Sequence, residues 1–303
     1  MYRRTVEKTE SYKRQEAIYV EKIAWITDST AGLTEEEKKN HSLFVIPLQL
    51  TFGDETFLEH ETLSSTLFYE KLQTSKTTPT TSQPSLGSLV TLYETIKAQG
   101  YEKAIAVYLS NELSGTISTS KMAAEMAGID VEVVDSRLTS FPMKQLIFTG
   151  IQLQKEGKLF QEIAQRLRSL TDGMGVYLAV GSLEQLHRGG RLSGSQAFVG
   201  NLLQIKPVLT FYHGKLLVHE KVRTAKKAKS RILQLFDEVK QANPLEELSV
   251  AIVHTDSKEE AQSLYDYVQE THPNVVVSIQ ELGPTIATHV GKGTLGICWF
   301  TKK

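Results

Sequence analysis

Hydrophobic and polar positions alternate along this chain in blocks whose period switches between two and about 3.6, the signature of strands alternating with helices. The sharpest block is Ala104–Leu109, a continuous apolar run that predicts a buried strand. Ser110–Gly115 breaks it with small polar residues, and from Thr116 the pattern turns helical, with Ile117, Ala123, Ala124 and Met126 expected inward. Upstream, Lys22–Thr27 predicts a strand running into Asp28-Ser29-Thr30, and Thr34–Glu37 has the form of a capping box opening a short helix. Leu43–Phe52 predicts one strand, bent or at a sheet edge near Pro47. Leu63–Gln73 predicts a helix with Leu63, Leu67, Phe68 and Leu72 on one face. The Thr- and Ser-rich stretch 74–87, with prolines at 79 and 84, predicts a shaped loop whose Ser85 caps a helix over Leu86–Gln99.

The pattern continues with a strand at Val131–Val134, an amphipathic helix at Leu159–Leu170 and a strand at Tyr177–Val180. Ser182 is placed to cap a short helix that Gly189-Gly190 stops. Helices are expected at Ser195–Leu203, Ala225–Gln241 and Lys258–Glu270. Ile205–Tyr212 and Lys215–Val222 flank His213-Gly214 as a β-hairpin, and Leu248–His254 and Val275–Gln280 complete the strands. Strand–helix alternation up to about residue 170 implies right-handed crossovers and a mostly parallel sheet in the N-terminal part of an α/β protein.

Composition narrows the function classes. A formal net charge of −1 gives no global basic field for nucleic acid. The single cysteine, Cys298, excludes an internal disulfide and reads as a small core residue in the apolar run Leu295–Phe300. No Cys/His spacing suggests a metal, and no cofactor is expected. No apolar stretch spans a membrane and the N-terminus lacks the apolar core of a signal peptide, so a cytoplasmic location is expected. Residues 1–21 are polar and read as an N-terminal extension.

Candidate chemistry gathers at strand ends and turns. A strand, a hydroxyl-rich turn and a helix start over 104–127 make a ready anion site, because the first N–H groups of a helix lack partners within it. Ser114 and Thr116 are available either to cap that helix or to donate to an oxyanion. Thr80-Thr81-Ser82-Gln83-Pro84-Ser85 is a second hydroxyl cluster, suited to binding rather than attack because no base adjoins it. Arg188 and Arg191 are fixed charges that pair with a carboxylate or phosphate, or with a surface acid. Gly283–Gly296 holds four glycines around His289 but lacks the spacing of a nucleotide loop. The basic helix 225–241, with Lys226, Lys227, Lys229 and Arg231, reads as a solvated face.

Eight stretches in chain order carry a resemblance: ITDST (26–30), TTSQPS (80–85), LSGT (113–116), VVDS (133–136), HRGGR (187–191), IKPVLTFYHGK (205–215), VRT (222–224) and GPTIATHVGKGTLG (283–296). Together they resemble the DegV family, the fatty-acid-binding proteins that serve as acyl-carrier subunits of bacterial fatty acid kinase (FakB-type), over about residues 22–303. The resemblance implies two α/β domains, 22–170 and 171–303, with a fatty-acid tunnel at their interface. It implies that Thr81, Ser114 and His289 hold the carboxylate of a long-chain fatty acid. Thr80, Arg191 and Arg223 are implied as head-group or partner contacts. The implied partners are the fatty acid or its acyl phosphate and the kinase catalytic subunit, with transient contact at a membrane surface. The implied role is a lipid-binding carrier that feeds phospholipid synthesis and is not itself an enzyme.

Two other classes compete. One is a lipid-acting hydrolase or phosphotransferase using Ser114 and His289, with an aspartate such as Asp28; LSGT lacks the GxSxG form of a nucleophile elbow. The other is an interaction module that uses the basic helix 225–241 and is compatible with a carrier docking on its kinase.

Overall fold

Every residue of the first strand, Ile23–Asp28, is buried, and its side chains divide between two hydrophobic layers. The computed structural model describes residues 20–75, 77–194, 206–242 and 248–301. Most of the N-terminal extension and the helix expected at Ser195–Leu203 lie outside the described residues.

In chain order the N-terminal part comprises β1 (Ile23–Asp28), α1 (Glu35–Asn40), β2 (Leu43–Ile46), β3 (Gln49–Phe52), β4 (Glu55–Leu58), α2 (Ser65–Thr74), β5 (Thr80–Ser82), α3 (Leu86–Ala98), β6 (Lys103–Tyr108), α4 (Thr116–Ala127), β7 (Asp130–Asp135), α5 (Ser140–Lys155) and α6 (Phe160–Leu170). A parallel sheet runs β2-β1-β6-β7. Strand periodicity sends Ile23, Trp25, Ile105 and Val107 to the face covered by Leu146, Ile147 and Ile151 of α5 and Ile163 and Leu167 of α6. Ala24, Ile26, Ala104 and Ala106 face Leu89, Tyr93 and Ile96 of α3 and Ile117, Ala123 and Ala124 of α4. A sheet buried on both faces explains the unbroken apolar runs. The order reverses between β1 and β6, so their carboxyl ends form a topological switch point, where open α/β sheets place ligands.

The remaining elements are β8 (Met174–Ala179), α7 (Leu183–Arg188), β9 (Val208–Tyr212), β10 (Lys215–Glu220), α8 (Ala225–Ala242), β11 (Leu248–His254), α9 (Lys258–Thr271), β12 (Val276–Glu281), α10 (Pro284–Val290) and β13 (Leu295–Thr301). Six of these strands make a mixed sheet in the order β10-β9-β8-β13-β11-β12. One face packs on α8 and α9 through Ile232, Phe236, Leu264 and Val268. The other contributes Val176, Leu178, Leu209, Leu216, Val253 and Phe300 to the cluster that also contains Trp25 and α5, so the two sheets share one core.

Three sequence expectations are corrected. Leu43–Phe52 is two strands, not one: β2 stays in the parallel sheet, while β3 joins β4 and β5 in a small antiparallel sheet. Pro47, which has no N–H, separates them, and the Leu48 N–H leaves the ladder to donate to Ser29 Oγ at 3.0 Å. The expected loop around residue 81 contains β5, with Thr81 opposite Leu50. Met126, expected inward on α4, is 66% exposed, because the buried stripe runs through Ile117, Ser120, Ala123, Ala124 and Ala127 instead.

Helix α5 packs so closely on β1 that Gly150 has no room for a side chain. A Cβ there would lie 2.2 Å from Cη2 of Trp25. Gly150→Val is therefore expected to destabilise the protein by about 1–3 kcal/mol, the usual range for overpacking a filled core, measured by urea unfolding.

Candidate functional site

Segments from both halves of the chain converge on one cavity of about 660 Å³, counted out to its open mouth. Its apolar wall includes Leu48, Leu109, Leu113, Leu178, Leu186, Phe211, Leu216, Ile286 and Val290. Its polar lining is Thr30, Thr81, Ser82, Gln83, Ser114, Thr139, Arg191, Thr285 and His289. An apolar pocket with a few convergent polar groups is the form taken by sites that hold an amphipathic small molecule.

Strand alternation decides between the two threonines of β5: Thr80 is exposed, whereas Thr81 is half-buried and lines the cavity. Thr81 Oγ1 lies 2.7 Å from Nε2 of His289, a hydrogen bond joining residues 208 positions apart. His289 sits in the last turn of α10, a helix that starts on Pro284 at its favoured first position. Gly189 allows the turn after α7 to approach this ring, since a Cβ there would lie 2.6 Å from His289 Nδ1. Burial, and then the charge of Arg191, push the imidazole well below its usual range, to about 4. At neutral pH His289 is an uncharged ring beside a fixed cation.

Ser114 lies just before α4, whose cap position is Gly115, so no side chain closes the helix start. Ser114 Oγ is 2.9 Å from Thr116 Oγ1, and the Thr116 N–H reaches Ser114 Oγ only at 3.4 Å. Arg191 ties this turn to the 189–191 turn by donating from Nε to the Leu113 carbonyl at 3.2 Å and from a guanidinium nitrogen to the Gly189 carbonyl. Gln83 reaches across from the β5 segment and donates to Thr119 Oγ1. The hairpin turn of β9 and β10 closes on the same loop through Ser110 Oγ, which donates to the Gly214 carbonyl at 2.8 Å.

Asp28 lies behind this loop, fully buried. Its carboxylate accepts from the Thr30 N–H at 2.9 Å, from the Thr30 hydroxyl at 2.5 Å and from the Leu109 N–H at 2.8 Å. Burial still pushes it up to about 6, against the opposing pull of those donors. The hydrogen bonds of Ser114, His289 and Asp28 thus run to separate partners: Thr116, Thr81, and Thr30 with Leu109. Arg223 is exposed ahead of α8 and does not line the cavity. On α8 itself, Lys229 lies 3.6 Å from Glu260, and Arg231 pairs with Glu220 and Glu238.

Several lining groups escape sequence reasoning. Thr139, a polar lining residue outside the eight motifs, carries no local signal in its stretch. Gln83 and Thr285 lie inside the motifs, but only the fold brings them to the cavity, Gln83 just past β5 and Thr285 in the first turn of α10.

His289 and Asp28 bias stability in opposite directions with pH. His289 binds its proton less readily folded than unfolded, where its pKa is about 6.5. Its contribution is therefore complete above pH 6.5 and is lost as pH falls toward 4. Asp28 binds its proton more readily folded, so its contribution is complete below 3.8 and is lost as pH rises through 6. In the ligand-free protein, His289→Gln is expected to leave the Asp28 trend uncompensated. Stability should then fall more between pH 4.5 and 6 than in the wild type, as read by urea unfolding at the two pH values.

Among the described residues, no helix is long and apolar enough to cross a membrane. The profile of the DegV family, described as uncharacterised proteins, matches residues 22–302. A DegV domain-containing protein of Halalkalibacterium halodurans is 38% identical over 283 residues, covering 93% of this chain and 99% of its own length. The crystal structure of DegV, a fatty acid binding protein from Bacillus subtilis, superposes with a TM-score of 0.85 at 37% identity, over 93% of this chain and 100% of that one. A fatty acid binding DegV family protein from Streptococcus agalactiae gives a TM-score of 0.86 at 31% identity, over 94% and 100% of the two chains.

Proposed function

The chain belongs to the DegV family, and from that premise we propose that it binds a long-chain fatty acid and presents the carboxylate to a separate fatty acid kinase. In this reading the tail lies along the apolar wall, between two α/β units, 22–170 and 171–303. Thr81, Ser114 and His289 hold the carboxylate, with Arg191 supplying positive charge beside them. The acyl phosphate made by the kinase would feed phospholipid synthesis.

The observation that carries this reading is the Thr81–His289 pair at an apolar cavity, in a chain whose solved relatives are described as fatty acid binding proteins. The physics is consistent with it. A buried carboxylate is costly unless several donors satisfy it. Each buried methylene of a tail contributes about 0.8 kcal/mol, so the apolar wall supplies most of the affinity. A carrier is favoured over a hydrolase because the hydrogen bonds of Ser114, His289 and Asp28 do not form a relay.

Native mass spectrometry of the purified protein, followed by denaturing extraction and lipid identification, tests the ligand. A stoichiometric fatty acid is the expected result. A ligand-free mass that also fails to take up added oleate would overturn the reading. Phosphorylation of the bound acid by an added fatty acid kinase and ATP tests the carrier role separately.

A further inference from the structure

The donors of the cavity are borne on elements from opposite ends of the chain, and one buried carboxylate joins them. Glu59 follows β4 and is 1% exposed. Its Oε1 accepts from the Thr285 N–H at 2.7 Å; its Oε2 accepts from the Thr285 hydroxyl at 2.8 Å and the Ser29 hydroxyl at 2.6 Å. Thr285 is the second residue of α10, and its N–H is one of those a helix start leaves without an internal partner. His289 lies four residues further on, on the same side of the helix. Glu59 therefore fixes the turn of α10 directly beneath His289.

The same carboxylate reaches Thr81 by a second route. Ser29 Oγ, while donating to Glu59, accepts the Leu48 N–H at 3.0 Å, and the Glu59 N–H donates to the Leu48 carbonyl at 3.0 Å. Leu48 leads into β3, which pairs with β5 and sets Thr81 opposite Leu50. Both partners of the Thr81–His289 hydrogen bond are thus referenced to one side chain that does not line the cavity.

We propose that Glu59 is the positioning residue of the ligand site, clamping α10 to β3 so that His289 and Thr81 meet at hydrogen-bond distance. The statement that this pair is a ligand site rests on the function proposed above; the clamp itself does not. An acceptor-only carboxylate suits the role, because all three groups hydrogen-bonded to it are donors. The neighbouring Asp28 serves the opposite wall in the same way, through the Leu109 N–H at the start of the Ser114 loop.

The test compares Glu59→Ala, Glu59→Gln, His289→Ala and the Glu59→Ala/His289→Ala double variant in the full chain. Three readouts are taken: oleate affinity, thermal midpoint, and the titration of His289 by NMR. Glu59→Ala is expected to weaken oleate binding at least tenfold and to move the His289 titration up from about 4 toward 6.5 as the ring is released to water. The double variant is expected to lose less affinity than the two single losses added together, the non-additivity of residues acting as one unit, with a remainder because Glu59 also sets Thr81. Glu59→Gln should bind within about threefold of the wild type, since its carbonyl still accepts the Thr285 N–H and the two hydroxyls can turn to accept from its amide. If Glu59→Ala does not fold, Thr285→Val, which removes only one of the three donors, is expected to shift the His289 titration in the same direction by less. A lowered thermal midpoint with an unmoved His289 titration and additive affinity losses would reduce Glu59 to a structural residue and overturn the proposal. Should the wild type fail to bind oleate, the ligand reading fails, and the His289 titration still decides whether Glu59 positions the ring.

Discussion

His289→Ala is expected to weaken long-chain fatty acid binding by about 10- to 150-fold while leaving the fold intact. Hydrogen bonds to charged groups contribute roughly 1.5–3 kcal/mol, and each 1.4 kcal/mol is tenfold in affinity. The unliganded ring is neutral, with burial and Arg191 both opposing a proton, and its Nε2 is held by Thr81. A carboxylate arriving beside it offsets the Arg191 charge, so binding should raise the His289 pKa above about 4 and favour proton uptake as pH falls. Thr81→Ala is expected to weaken binding too, by less, because the ring remains. Isothermal titration with oleate at pH 5.5 and 7.5 measures both effects. Unchanged affinity in His289→Ala would remove the residue from the site. Wild-type affinity that does not respond to pH would leave the ring as an uncharged contact only.

The parallel sheet was the most legible part of the fold, for a physical reason. Strands buried on both faces, such as Ile23–Asp28 and Lys103–Tyr108, must be apolar throughout, and that pattern survives in the sequence whatever surrounds it. The caps were legible because they are local: Thr34 closes its box with Glu37, and Ser85 and Ser182 accept from the residues three positions on. Cys298 is a buried core residue, as its apolar surroundings implied.

The small sheet β3-β4-β5 was not legible, because its strands are short and its pairing is long-range. Thr80–Ser82 has three residues and two prolines nearby, and becomes a strand only because β3 supplies a ladder for it. The same limit applies to 283–296, whose four glycines allow tight turns and close ligand approach and where no helix is predicted, yet Pro284 opens a helix seven residues long. Of the site, the residue types were visible in the motifs, but their convergence was implied only by the family resemblance and not by any local pattern. Thr81 and His289 meet across 208 positions. Glu59 carried no signal of burial, lying among the titratable neighbours of Glu59-His60-Glu61. Its burial follows from three donors on distant segments, which no local pattern can announce.

Ile286→Trp should separate the tail's contribution from that of the carboxylate donors. Ile286 lies one turn before His289 on the same side of α10, lines the cavity and is only partly buried, so the room for a larger side chain is the cavity itself. An indole in place of the isoleucine side chain displaces about three methylenes of tail, roughly 2–3 kcal/mol or about 30- to 150-fold in long-chain affinity. Thr81, Ser114 and His289 keep their donors, so the His289 titration in the ligand-free protein should stay near 4. Ile286→Ala enlarges the same space and should cost less than tenfold, since a flexible tail can move into part of the void. Oleate and a medium-chain acid such as octanoate, measured on the three proteins, distinguish blockage from general damage. Blockage lowers oleate affinity more than octanoate affinity in the tryptophan variant, because the longer tail has more methylenes to lose. An equal loss for both acids would instead place Ile286 at the carboxylate, and the tail would have to leave the site by a different wall.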